Sequence, residues 1–385
     1  MLLINATIHT MEGDPIDQGY LWIQEDKIAE IGSMDQLTDK DQETLDLKGK
    51  HIYPGFIDAH THLGMFEDGL TFEGDDGNEE TDPITPHLRG IDAVNPMDRC
   101  FSEALDAGIT TVVTGPGSAN AIAGQMVALK TSGHRVDSMI LKDPVAIKFA
   151  LGENPKSVYH GKNQMPSTRM ATAAVIREQL YKTVRYQEEK RKAEEDSDSY
   201  DPPEYDAKCE ALLPLLERKI EAHFHAHRAD DIFTAIRIAK EFNIDYVIVH
   251  GTEGHLIEED LVQERARVLA GPILCDRSKP ELRELTPKNP GILNKAGVPT
   301  AIITDHPVIP IQYLPVCAAL AVREGMDPGQ ALRAITIVPA QICGLDHRVG
   351  SLKKGKDADF SVFSGDPLQL PVKPDMVFCN GKRVR

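Results

Sequence analysis

The sequence predicts an α/β protein: a (β/α)8 TIM barrel carrying a small β-sandwich built from both chain ends. Two observations carry this. The middle of the chain repeats, eight times, an apolar run followed by a polar or helix-prone stretch, whereas both ends show short β-like runs separated by turn residues and no helical period. We place the two parts of the sandwich at residues 1–53 and 349–385, and the barrel at 54–348 with an insertion at about 154–218.

The elements follow in order. Near the N-terminus, LLINATIHT and GYLWIQEDKIAEIG flank the turn residues Gly13–Asp14–Pro15, which reads as a small all-β unit. The eight apolar runs come next: HIYPGFIDAH, GITTVVTG, GQMVALKT, DPVAIKFAL, KIEAHFHAH, IDYVIVHG, ARVLAGPIL and VPTAIITDH. Their Val, Ile and Leu content suits strands buried on both faces. Residues 229–243 have acidic groups in the first turn and apolar residues at helical spacing, and 95–107 stop before Gly108, so both are predicted helices. Between DPVAIKFAL and KIEAHFHAH about 70 residues intervene, far more than a loop and helix require. This insertion holds a predicted helix at 168–192, a charged Pro-containing loop at 193–206 and a second helix reaching residue 218; it is expected to be either solvated padding or a lid over the barrel mouth. At the C-terminus, GSLKKGKDADFSVFSGDP and MVFCNGKRV return to strands and turns, and nearby chain ends make one shared β domain the natural arrangement.

Composition excludes several functions. A net charge of −18 gives a long-range field of the wrong sign for phosphate backbones or anionic lipid, so neither nucleic acid nor membrane is an expected partner. The six cysteines are scattered without a CxxC, as suits reduced thiols in a cytoplasmic protein. No basic-then-apolar leader opens the sequence, and no run approaches the roughly 20 apolar residues of a membrane span. The expected partners are a small-molecule substrate and further copies of the chain in a homo-oligomer.

The polar residues sit where barrel chemistry needs them. His60 and His62 are one residue apart after the first run, and side chains at i and i+2 share a face, so the two imidazoles project together. Lys148 lies inside VAIKFAL, His225 and His250 end the fifth and sixth strands, and Asp305 ends the last. Imidazoles and carboxylates converging on the C-terminal mouth of one barrel supply the donors that suit Zn2+ or a similar divalent ion. His227, His306, Asn120 and Gln125 are candidate substrate contacts. Arg228 and His255 are weaker ones, and Asp230 and Asp231 read as helix N-terminal acids.

PGFIDAHTHLG, His225, His250, Asp305 and the closing VGSLKKGKDADFSVFSGDP together resemble the amidohydrolase superfamily of metal-dependent hydrolases, in particular its imidazolonepropionase-like branch. The resemblance spans nearly the whole chain. It implies that His60, His62, His225, His250 and Asp305 hold one or two divalent ions, most simply Zn2+, and that Asp305 moves the proton of the attacking water. In two-metal members a carboxylated lysine or a glutamate bridges the ions from the fourth strand. Lys148 fits that position, since a bare ammonium in an apolar run is costly to bury, and Glu153 is the rival. The implied reaction is hydrolysis of an amide or cyclic-amide C–N bond. A one-metal deaminase is the alternative, although HAHRADD lacks the glutamate that such members carry after the fifth-strand histidine; a non-catalytic barrel scaffold is the other.

Overall fold

The computed structural model describes residues 1–38, 42–67, 71–369 and 372–385 and contains two eight-stranded sheets. The smaller domain's sheet draws Leu2–Ile8, Ile16–Gln24, Lys27–Ser33, Thr44–Asp46 and His51–Pro54 from the start of the chain, and Phe360–Phe363, Met376–Cys379 and Lys382–Arg383 from its end. The two termini join where Ser361 lies opposite Tyr53 in an antiparallel ladder. Alternate side chains of these strands, among them Leu3, Leu21, Ile28, Ile52, Phe360 and Phe378, share one apolar core.

The larger sheet is the barrel. Its strands are β1 (Phe56–Thr61), β2 (Ile109–Thr114), β3 (Ile122–Lys130), β4 (Ile140–Ala150), β5 (Glu221–Ala226), β6 (Tyr246–His250), β7 (Val268–Ala270) and β8 (Thr300–Ile302), each hydrogen-bonded to the next. All eight apolar runs of the sequence are therefore strands. One expectation changes: β3 runs antiparallel to both β2 and β4, so the barrel is not eight identical βα units. The linkers 115–121 and 131–139 are the physical reason, because a parallel return needs a crossover of roughly a dozen residues or more.

The barrel closes between its last and first strands. The His62 amide donates to His306 O at 2.8 Å, and the Asp58 carboxylate accepts from the Thr304 amide and hydroxyl at 3.0 and 2.6 Å. Beside this seam the Ile57 amide donates to Ile335 O, at 2.8 Å.

The insertion is helical but lies along the barrel wall. Its helices are Glu153–Gly161, Arg169–Glu195 and Ala207–Leu216, with Thr168 capping the second by accepting from the Ala171 amide. Ile176, Leu180, Leu212 and Leu215 pack in the same apolar cluster as Phe224, Ile232 and Ile236, so the long pair is core rather than padding. Arg177 and Tyr181 also bond Glu241 on the helix Ala229–Phe242. Among the described residues no helix is long and apolar enough to cross a membrane, and all six cysteines are free.

Because β3 runs backwards, its last residue, Lys130, emerges at the floor of the barrel, against the small domain. There Lys130 is buried with Asp357 and Asp359 of the KDAD segment; its ammonium lies 2.9 Å from Asp357 and hydrogen-bonds Asp359. Asp357 also binds Arg348, at 2.9 Å, and Lys27. The run GKDAD is thus an ionic clamp between the domains. Replacing Lys130 with Ala leaves two buried carboxylates short of their cation and is expected to lower stability by about 3–5 kcal/mol, read by denaturant unfolding. Burial pushes the Asp357 carboxyl up, but Lys130 and its other cations outweigh this and hold it at about 2 against an ordinary 3.8. Its contribution should therefore be complete above about pH 4 and fade as pH falls toward 2; a stability curve flat across that window in the wild type would contradict the clamp.

Candidate metal centre

Three strands aim polar side chains into the barrel by pleat alone. On β1 and just beyond it, Asp58, His60 and His62 alternate with apolar or threonine neighbours; on β5, His223, His225 and His227 do the same. Lys148 on β4 lies directly across from His223 in the ladder. All seven are buried. Two more donors arrive through backbone bends: His250 and Asp305 have φ of 75° and 56°, left-handed values that cost a non-glycine residue about 1–3 kcal/mol and turn each side chain inward at its strand end.

These side chains form two facing groups. In the first, His60, His62 and Asp305 bring one ligand atom each within 4.8 Å of one another, with Asp305 Oδ1 at 3.5 Å from His60 Nε2 and 3.4 Å from His62 Nε2. In the second, His225, His227 and His250 do the same. His60 and His250 bridge the groups with ring centroids 5.7 Å apart, and Lys148 Nζ lies 2.9 Å from His60 Nε2.

The imidazoles are held in the form a cation requires. His62 Nδ1 donates to Gly115 O and His250 Nδ1 to Gly271 O, both at 2.7 Å; since a carbonyl only accepts, the lone pair of each ring lies on Nε2. Ser118 Oγ sits 2.9 Å from His225 Nδ1 and Thr252 Oγ1 2.7 Å from His227 Nδ1, fixing those rings likewise. Burial, reinforced by neighbouring histidines and lysines, holds His60, His225 and His227 well below the ordinary imidazole value and takes His250 to about 4, so all four are neutral near pH 7. Burial alone would raise Asp305, but His250 and His62 keep it ionised, and desolvation brings the Lys148 ammonium down to about 7. His225 Nε2 and His60 Nδ1 have no hydrogen-bond partner, which in a dry interior is unfavourable unless an ion supplies the missing contact. Neutral nitrogen donors with one carboxylate per approach fit a divalent cation such as Zn2+.

The remaining expected residues are placed as follows. His227 joins the second group. The Asn120 amide donates to Thr85 Oγ1 and Glu79 O and its carbonyl accepts from the Tyr159 hydroxyl, at 2.8, 2.6 and 2.6 Å, so its polar atoms serve the loop after β2. Gln125 Nε2 faces Pro86 O at 3.4 Å, and His306 Nδ1 accepts from the Ile311 amide in the turn after β8. Glu153 begins a helix and contacts the site through its backbone, its amide donating to Glu281 Oε2 at 3.0 Å. Arg228 pairs with Asp230, and Asp231 with Arg169 of the insertion.

Two buried residues escaped the sequence reading. His223 lies one layer below His225, and its signal was present in the period-two run HFHAH. Glu281, 1% exposed, arrives on the irregular segment after β7, where DRSKPELREL offers no period to single it out.

The sequence profile of the Amidohydrolase family matches residues 51–384. An amidohydrolase, tasK, from Hapsidospora irregularis is 29% identical over 99% of this chain, which spans 42% of that protein's length. The imidazolonepropionase of Geobacillus kaustophilus is 25% identical over 91% of this chain and 84% of its own. Among solved structures, an amidohydrolase from Thermotoga maritima superposes with a TM-score of 0.96 at 42% identity, covering 100% of this chain and 99% of that one. Titration of chelator-stripped protein with Zn2+ or Co2+ should show two equivalents taken up, with His62→Asn and His250→Asn each weakening one of them; uptake unchanged in both variants would disconnect these side chains from metal.

Proposed function

The chain belongs to the amidohydrolase family, and on that premise we propose that it is a metal-dependent hydrolase of an amide or cyclic-amide C–N bond in a small molecule. One observation carries the reading: two groups of neutral, oriented donors face each other across Lys148 at the open end of a barrel. His60, His62 and Asp305 would hold one divalent ion, His225, His227 and His250 a second. Bound there, such an ion supplies Lewis acidity and lowers the pKa of water toward ~7.

The chain's own residues do the rest. Asp305, ionised and between the two first-strand imidazoles, accepts a proton from the attacking water and returns it to the leaving nitrogen as the C–N bond breaks. The carbonyls of Gly115 and Gly271 keep the imidazoles from turning. Lys148 would carry a carbamate: its amine, surrounded by apolar strand residues and bonded only to His60 among the described residues, adds carbon dioxide with loss of a proton to give an anion between the two groups. The side chain of Glu153 makes no printed contact with either group, which favours Lys148 as the bridge. A lysine anion centred between both groups also favours two ions over the one-metal deaminase arrangement.

Screening N-acyl amino acids, dipeptides and cyclic amides with metal-loaded enzyme is the first test of the reaction class. On any substrate found, Asp305→Asn should cut kcat by about 10²- to 10⁴-fold while the fold is kept. Lys148→Ala should lose activity and regain part of it with added short carboxylic acids. Near-normal turnover of the Asp305 variant would demote that residue from proton carrier to ligand.

A further inference from the structure

We propose that Glu281 is a ligand of the second cation, so that His225, His227, His250 and Glu281 form a four-donor site that holds its ion more completely than the first group holds its own. The inference rests on the reading that this pocket binds divalent ions, and it concerns a residue that lies outside both groups of three.

The geometry begins with two distances. Glu281 Oε1 lies 3.7 Å from His225 Nε2 and 3.6 Å from His227 Nε2. Hydrogen bonds between imidazole and carboxylate would close to about 2.7–3.2 Å, so these separations are too long for one. They are close to the edge of a tetrahedron whose ligand bonds are about 2.0–2.2 Å, an edge of roughly 3.4 Å. Both His225 Nε2 and Glu281 Oε1 also lack a hydrogen-bond partner although fully enclosed. Two orphaned atoms of complementary chemistry point at one gap.

The supporting contacts fix each donor from behind. Ser118, Thr252 and Gly271 occupy the Nδ1 atoms of the three imidazoles, as described above. The other oxygen of Glu281 accepts from the Glu153 amide at 3.0 Å, which leaves Oε1 as the inward atom. His227 stacks on His250 with centroids 4.3 Å apart and planes 8° from parallel, so the two rings present their edges to the same side.

Lys279 is the competing explanation for a buried glutamate here. Its ammonium lies 2.6 Å from the same Oε1 and 2.9 Å from Asn154 Oδ1. As a mere ion pair, Glu281 would need only Lys279; as a ligand, it shares Oε1 between Lys279 and the cation, and Lys279 weakens metal binding by competing for that charge. A four-donor second site next to a three-donor first site has a functional consequence. Closed sites retain their metal whereas open ones admit water and substrate, which assigns water activation to the His60, His62 and Asp305 side.

The test compares Glu281→Gln and Lys279→Met in the full chain, stripped of metal and titrated with Co2+, reading stoichiometry, affinity and the visible absorption of bound cobalt. Glu281→Gln should weaken the tighter equivalent by about 10- to 100-fold or more and alter its spectrum, while Lys279→Met leaves that affinity equal or improved. If both variants retain wild-type cobalt affinity and spectrum and only lose thermal stability together, Glu281 is the lysine's ion-pair partner and the inference is wrong. A wild-type protein that binds one ion insensitive to Glu281→Gln also overturns it. Wild-type protein that takes up no cobalt would fail the metal reading itself, a result separable from the other two.

Discussion

The relative position of the first and last strands depends on one buried carboxylate. Asp58 accepts from the Thr304 amide and hydroxyl on the β8 side and from the His60 amide, at 3.2 Å, on its own. Two strands that otherwise make few direct ladder contacts are thereby registered to each other, and the register sets the distance between His60, His62 and Asp305. Burial exacts a cost, pushing the Asp58 carboxyl up to about 7 despite the hydrogen bonds from Thr304. A fully enclosed acid is tolerated because each oxygen has a donor. The same segment closes the barrel and aims the site.

From that seam the chemistry spreads by alternation. Once β1 is registered, its pleat sends His60 inward, the β4–β5 ladder sets Lys148 opposite His223, and the next inward positions on β5 are His225 and His227. A chain of net charge −18 therefore encloses a mouth rich in neutral imidazoles, where the acids that remain are few and positioned. The acidic surface and the interior donor set are separate features; the interior is governed by desolvation, which keeps imidazole neutral and lysine easily deprotonated. At the opposite end of the barrel the Lys130 clamp does the mechanical work of tying the small domain down, so the closing GKDAD segment serves stability at a distance from the chemistry.

Much of this was legible in the residues. Strand-end histidines and Asp305 were found because a barrel repeats: each apolar run marks a strand, and whatever follows it lies at one mouth. The HxH pairs announce themselves through period two. The reversed β3 was misread as another βα unit because its composition matches its neighbours; only the lengths of the flanking linkers carry its direction. Glu281 was invisible since it sits on irregular backbone, positioned by tertiary packing against Glu153 and Lys279 rather than by any local pattern. Asn120 illustrates the converse, a polar loop residue that sequence places near the mouth and whose hydrogen bonds the fold directs to Thr85, Glu79 and Tyr159.

The central claim, that two groups of donors hold two ions on either side of Lys148, is tested most directly by anomalous diffraction from zinc-loaded crystals. The account predicts two peaks roughly 3.5–4 Å apart, one among His60, His62 and Asp305 and the other among His225, His227 and His250, with density for a carbamate on Lys148 between them. A single peak with an unmodified Lys148, or peaks away from these side chains, would contradict it.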